Sequence, residues 1–186
     1  MPSLPARPMT ALLLRPSTPA DAPALAAIYA HHVMHGTGTF ELEPPDAAEM
    51  ARRREDVTAK GLPWLVAERD GAVLGYAYAN HFRPRRAYRF CLEDSIYVAP
   101  AAQGQGLGRL LLAELLARSS ALGARQMLAV IGDAQNAGSI ALHRALGFAH
   151  TGVLRASGWK AGRWLDVVLM QRALGLGDTC PPGDER

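Results

Sequence analysis

The sequence predicts an α/β (α+β) fold around one mixed central sheet, antiparallel in its N-terminal half, with a later parallel pair flanked by helices. Three observations lead there. Residues 92–98 carry the β-branched and aromatic types of a buried strand, Pro100 ends it, and a glycine-rich turn follows. Leu107, Leu111 and Leu115 then recur at helical spacing, widened by Leu110, Leu112 and Leu116, and residues 127–131 return as a second buried strand. That order gives a parallel pair joined by a right-handed crossover. Upstream, Asp70-Gly71 between two alternating apolar runs marks a hairpin, so antiparallel strands lead into the central one.

Taken in order, residues 1–10 read as a flexible tail and residues 12–14 as a short first strand. Asp21 is placed to cap a helix that tolerates Pro23 in its first turn and buries Leu25, Ile28, Tyr29 and Val33 on one face. Residues 36–45 form a loop with one large apolar residue, Phe40. Asp46 and Glu49 suit a capping pair for a helix over residues 47–60. Strands follow at 64–68 and 72–79. Gly123 stops the helix behind the glycine turn. Asn136 opens a last helix ending at Gly147, and strands at 153–154 and 164–170 complete the sheet. Residues 175–186, rich in Gly and Pro, read as a disordered tail, which leaves residues 11–174 as one domain without internal repeats.

Composition excludes several function classes. The 186 residues are 49% hydrophobic, in the range of a packed globular chain. No apolar run is long enough to span a membrane, and residues 11–14 are too short a run for a signal peptide. Two cysteines make no disulfide framework, so a reducing cytoplasm is expected. A net charge of +3 is too weak to indicate nucleic acid, and no aromatic stacking motif accompanies the arginines. Arg52, Arg53 and Arg54 read as a solvated face; Arg83, Arg85, Arg86 and Arg89, just before the central strand, suit either a solvated face or an anionic substrate. His31 and His35 lie one helical turn apart, but no third ligand follows at matching spacing, so no metal is expected.

The turn Gln103, Gly104, Gln105, Gly106, Leu107, Gly108, Arg109 carries the functional signal. Alternate glycines let backbone amides converge, and the helix start adds its own open N–H groups, a site for phosphate or pyrophosphate. It is not a P-loop, because Arg109 and Leu110 stand where Lys and Ser or Thr are needed. Neither glycine pair is followed at the required distance by the third small residue of a dinucleotide fingerprint. Gln-x-x-Gly-x-Gly after a strand resembles the pyrophosphate loop of acetyl-CoA binding in the GNAT superfamily of N-acetyltransferases. That resemblance implies a splayed parallel pair in the sheet, with the pantetheine arm laid along the main chain of Ile96, Tyr97 and Val98 and the Val98 N–H facing the thioester oxygen. By alternation Glu93 shares a face with Ser95 and Tyr97, close to that thioester, and becomes the candidate general base; Asp94 points the other way and is the weaker candidate. His143 stands where most GNAT enzymes carry a tyrosine general acid, and is expected to act as acid or substrate contact. Asn136 and Ser139 are expected to touch coenzyme.

Further motifs narrow the resemblance. Tyr88-x4-Glu93-Asp94-Ser95-Ile96-Tyr97-Val98, Ala129-Val130-Ile131-Gly132 and His143-x-Ala145-Leu146-Gly147-Phe148 are similar to phosphinothricin N-acetyltransferases. So is Gly152-Val153-Leu154-Arg155-x2-Gly158-Trp159-Lys160-x-Gly162-x-Trp164-x-Asp166-Val167. This resemblance covers roughly residues 12–173 and implies acetylation of the α-amine of a small amino acid or analogue such as phosphinothricin, methionine sulfone or methionine sulfoximine. It further implies that Arg85 and Tyr88 bind the acidic end of the acceptor, that Phe40 lines its pocket, and that the chain is a homodimer. Trp159, where phenylalanine is usual, and the Arg83-Pro84-Arg85-Arg86 run depart from the common pattern. The other readings are acetylation of a protein N-terminus or polyamine, and an acyl-CoA-binding module without catalysis.

Overall fold

The computed structural model describes residues 11–182. The expected flexible tail at 1–10, and the last four residues of the expected disordered tail, lie outside the described residues. The elements are β1 (Leu13–Pro16), α1 (Ala22–His35), α2 (Ala47–Thr58), β2 (Trp64–Arg69), β3 (Ala72–His81), β4 (Cys91–Val98), α3 (Leu107–Ala121), β5 (Gln126–Gly132), α4 (Ala137–Ala145), β6 (Ala149–Lys160) and β7 (Arg163–Ala173). They build a seven-stranded sheet in the order β1-β2-β3-β4-β5-β7-β6. The β4–β5 pair is parallel and the other pairs are antiparallel, the mixed sheet expected from the sequence.

Local chemistry explains most of the boundaries. Asp70 and Gly71 take φ of 53° and 75°, the two left-handed residues that a tight β2–β3 hairpin requires. One face of β4 meets α1, where Tyr97 packs edge-on against Tyr29; the other meets α3, whose Gly108 lies beside Val98. Leu107, Leu111, Leu112, Leu115 and Leu116 are buried beneath α3. Leu110, expected on the same apolar face, is 47% exposed, because its position on the helix turns it away from the sheet.

Several expectations need correction. Asp21 occupies the first position before α1 but makes no side-chain cap; it instead binds Arg15 twice at 2.8 Å and the Thr18 amide at 2.6 Å. Asp46 does cap α2, accepting the Glu49 N–H at 2.8 Å, but the Glu49 carboxylate turns to Arg52 and Arg53 rather than closing a reciprocal box. The last two strands are much longer than their apolar cores predict, since β6 has β7 as a full-length partner despite its Gly, Ser and His content. In the described part of the tail, Gly177 and Thr179 close turns onto Leu174 and Leu176, and Arg125 donates to the Gly177 carbonyl at 3.1 Å.

Candidate active site

The central strand is paired unequally on its two sides. With β3 it stays in register as far as Val98↔Gly75, but with β5 the pairing ends at Glu93↔Leu128. Beyond Glu93 the two parallel strands part, and a cleft of about 560 Å³ opens between them, walled by β4, β5, the glycine turn and α4. Backbone groups alternate sides along a strand. Ala79 gives its N–H to Pro63 on the far side of β3, while Ala99 donates to Leu74. The main-chain groups of Asp94, Ile96 and Val98 therefore point into the gap, and those of Tyr97 point to β3. Of the expected main-chain edge, Ile96 and Val98 are turned to the cleft; Tyr97 meets it with other atoms.

His32, which lies between His31 and His35 on α1, donates Nε2–H to the Val98 carbonyl at 2.9 Å and lines the cleft. Its place three residues after buried Tyr29 is the signal that could have found it. Burial lowers its pKa, which suits the neutral ring that makes this bond. Among the described residues no three His, Cys, Asp or Glu side chains converge where a cation could sit.

The glycine turn divides its tasks. Gly104 and Gly106 have φ of 72° and 81°, where a side chain would be strained, and both face open space. Gly108 is needed for close approach: a Cβ there would come within 3.3 Å of Leu142. Arg109 and Leu110 already donate their amides to the Gly106 carbonyl at 3.1 and 3.2 Å, so the open N–H groups of this helix start belong to the residues before them. Gln103, Gly104, Gly106, Leu107 and Gly108 line the cleft, as do Asn136 and Ser139. Gln105 and Arg109 stand outside it, Gln105 donating its side chain to the Ala101 carbonyl at 3.0 Å. Asn136 caps α4 by accepting the Ser139 amide at 3.2 Å, which fixes both residues at the cleft wall.

Two neighbouring carboxylates meet the vertex from opposite faces. Glu93 lies on the α1 side; burial raises its pKa, the charge of Asp94 adds to that, and Arg83 works against it. Asp94 lies on the α4 side, where Oδ2 accepts His143 Nε2–H at 3.0 Å and Oδ1 is buried without a protein partner. His143 Nδ1 lies 2.7 Å from the Ser139 carbonyl, so both ring nitrogens face acceptors. Burial opposes a charge on this ring, but the Asp94 hydrogen bond and charge outweigh it, and its pKa is raised. His143 lines the cleft, and the roles expected of it, proton donation to a thiolate or contact with a substrate, would share a ring nitrogen with Asp94 or Ser139.

The residues expected at the acceptor are not gathered at the cleft. Arg85 is exposed; Tyr88, in a short 3₁₀ turn, is 39% exposed and packs edge-on against Phe82. Phe40 is half-buried on β6, while its neighbours Gly38 and Thr39 form cleft wall. The arginines of α2 are committed elsewhere, Arg53 to Glu41 and Glu49, Arg54 to Ser17.

This combination of parted parallel strands, glycine turn and helix start is that of the GNAT acetyltransferases, and the chain belongs to that family: the model of the acetyltransferase (GNAT) family matches residues 26–148. Among individual proteins, a phosphinothricin N-acetyltransferase from Alcaligenes faecalis is 58% identical over 87% of this chain and 82% of its own length. An L-methionine sulfoximine/L-methionine sulfone acetyltransferase from Salmonella typhimurium is 39% identical over 88% of this chain and 95% of its own. The crystal structure of a GNAT superfamily phosphinothricin acetyltransferase from Sinorhizobium meliloti, in complex with acetyl-CoA, superposes with a TM-score of 0.91 at 51% identity, covering 94% of each chain.

Proposed function

We propose that the protein transfers an acetyl group from acetyl-CoA to the α-amine of a small amino acid or analogue of the phosphinothricin, methionine sulfone or methionine sulfoximine type. The observation that carries this reading is the early end of β4–β5 pairing. It leaves the Ile96 backbone and the Val98 N–H open along a cleft that runs from half-buried Glu93 to a glycine turn whose open N–H groups suit a diphosphate.

In this reading the amides before Arg109 hold the pyrophosphate, Asn136 and Ser139 flank the coenzyme, and the β4 edge bonds the pantetheine arm. Glu93 takes a proton from the acceptor ammonium, directly or through water. The free amine then attacks the thioester carbonyl, the Val98 N–H stabilises the tetrahedral oxyanion, and the C–S bond breaks. The departing thiolate takes the second amine proton, so the products are the amide, coenzyme A and one proton on Glu93. The Asp94–His143 pair is a positioning strut: it ties α4 to β4 one residue past the last β5 partner and so holds the gap open at its vertex.

The same proposal has the chain working in the cytoplasm as a homodimer, and Trp159 and Trp164, exposed at 58% and 62% on the β6–β7 hairpin, offer apolar surface for the contact. A panel of amino acids with sulfone, sulfoximine and phosphinate analogues, assayed by thiol release from acetyl-CoA, tests the activity. Turnover restricted to such α-amines supports it; calorimetric uptake of acetyl-CoA without turnover of any amine would leave a binding module instead.

A further inference from the structure

The loop over residues 36–41 crosses from α1 to the far strands and is clamped along its length. Thr37 Oγ1 donates to Asp133 Oδ2 at 2.7 Å, and a Cβ on Gly132 would come within 2.8 Å of the Thr37 carbonyl. Tyr29 Oη lies 2.7 Å from Thr39 Oγ1 and donates to Glu41 Oε1 at 2.9 Å. The buried ammonium of Lys160 donates to the Thr39 carbonyl at 2.9 Å.

Phe40 has a seat of its own. A Cβ on Gly158 would lie 2.3 and 2.4 Å from two carbons of its ring, against the ~3.5–4.0 Å of ordinary carbon contacts. Gly158 does not have a positive φ, so space rather than backbone conformation demands glycine there. The backbone around it is specially shaped: residues 155–157 stand opposite Asp166 alone, and the Asp166 carboxylate pins that bulge through Arg155 at 2.9 Å and the Ala156 amide at 2.9 Å. Gly38 and Thr39, either side of which these anchors act, line the same cleft as Glu93.

We propose that Gly158 and Lys160 are specificity-setting positioning residues: by seating Phe40 and holding Thr39 they fix where the 36–41 strap closes the acceptor end of the cleft. The inference rests on the acyl-transfer reading above, in which the acceptor amine must reach Glu93. It assigns acceptor selection to β6, remote from the glycine turn that holds the donor.

Three variants test it, Gly158→Ala, Lys160→Met and the double change Phe40→Leu/Gly158→Ala, with acceptor and acetyl-CoA varied independently. Gly158→Ala should raise the acceptor KM about 10-fold or more with a smaller change in kcat, because the ring must retreat by about 1 Å. Lys160→Met, which adds no bulk, should raise the same KM, and the double variant should recover most of the loss caused by the added methyl. The acetyl-CoA Kd by calorimetry should stay within about twofold throughout. Hydrogen exchange reads the seat without turnover: amides of residues 36–41 should exchange faster in both single variants, with the glycine turn unchanged. Unchanged exchange in the strap, or equal losses for donor and acceptor, would overturn the inference. Absence of turnover in the parent protein would instead sink the acyl-transfer reading, with the exchange data still judging the seat.

Discussion

Glu93 and Asp94 are consecutive carboxylates on one strand, and the pleat sends them into different environments. Glu93 faces α1, where burial and the charge of Asp94 raise its pKa and the charge of Arg83 offsets them only in part. Asp94 faces α4, where His143 takes one oxygen at 3.0 Å. One carboxylate is left costly to ionise, as a base that must bind and release protons requires; the other is committed to a pair. The lesson is that a one-residue step along β4 separates a carboxylate with a raised pKa from one held in a hydrogen-bonded pair. Neither role follows from residue type.

The largest expected effect comes from removing the carboxylate proposed as the base. Glu93→Gln should lower kcat/KM for the acceptor by about 10²-fold or more, with acetyl-CoA affinity nearly intact. The unprotonated carboxylate is the working form, so the parent rate should fall as pH drops through the raised Glu93 value, and the variant should lack that limb. A pH series of kcat/KM checks both. The same change should raise stability slightly near neutral pH. A carboxyl whose folded pKa is raised favours the folded state in its protonated form, so ionisation above the ordinary carboxylate range works against folding, and glutamine removes that term.

Asp94→Ala should act in the opposite sense. Leaving His143 buried without its partner should cost on the order of 3 kcal/mol, a Tm drop of roughly 6–12 °C for a chain of this size. The pH dependence has a definite sign. The folded pKa of His143 lies above its unfolded value, so the pair's contribution is complete below the unfolded histidine range and is lost as pH rises through the folded one. Urea melts at about pH 6 and about pH 9.5 should show the gap between parent and variant closing at the higher pH. A gap that widens would remove the charged pair from the account.

These two residues also mark how far the sequence could be read. Alternation on β4 was enough to put Glu93 and Asp94 on opposite faces, because it needs no knowledge of what packs on either face. The Asp94–His143 pair requires knowing that α4 reaches the even-numbered face beside α3, a tertiary fact with no local signal. The hairpin at Asp70-Gly71 and the turn at Gly104 and Gly106 were legible because positive φ leaves few residue choices. Arg85 and Tyr88 came forward by resemblance rather than by a packing argument, and neither lines the cleft between β4 and β5. The bulge that seats Phe40 was invisible, since β6 lacks the composition of a long strand and is drawn out by its register with β7.

A smaller effect should follow from the donor end. At φ of 81°, Gly106→Ala places a Cβ in the left-handed region at a cost of about 1–2 kcal/mol. If the bound coenzyme needs that conformation, acetyl-CoA affinity should fall by about fivefold to tenfold, while acceptor KM at saturating donor is unchanged. Calorimetry and acceptor titrations separate the two ends of the cleft. Equal losses in both would mean that the turn and the strap are not independent.

The smallest expected effect sharpens the contrast most. Among the influences on Glu93, Arg83 alone holds the carboxylate charged, by charge at a distance rather than by a hydrogen bond. Arg83→Ala should therefore move the acid limb of kcat/KM to higher pH without abolishing it, leaving the rate well above limiting pH nearly unchanged. Because Arg83 is exposed, added salt should screen it, and the parent profile should approach the variant's as ionic strength rises. Arg85→Ala is the matched comparison: the same charge is lost two residues further along the chain. Its acid limb should stay in place. A limb that moves equally in both variants would show that net charge around residues 83–89, and not the position of one guanidinium, tunes the base; a limb that moves in neither would mean that Glu93 is not the group whose titration limits the rate.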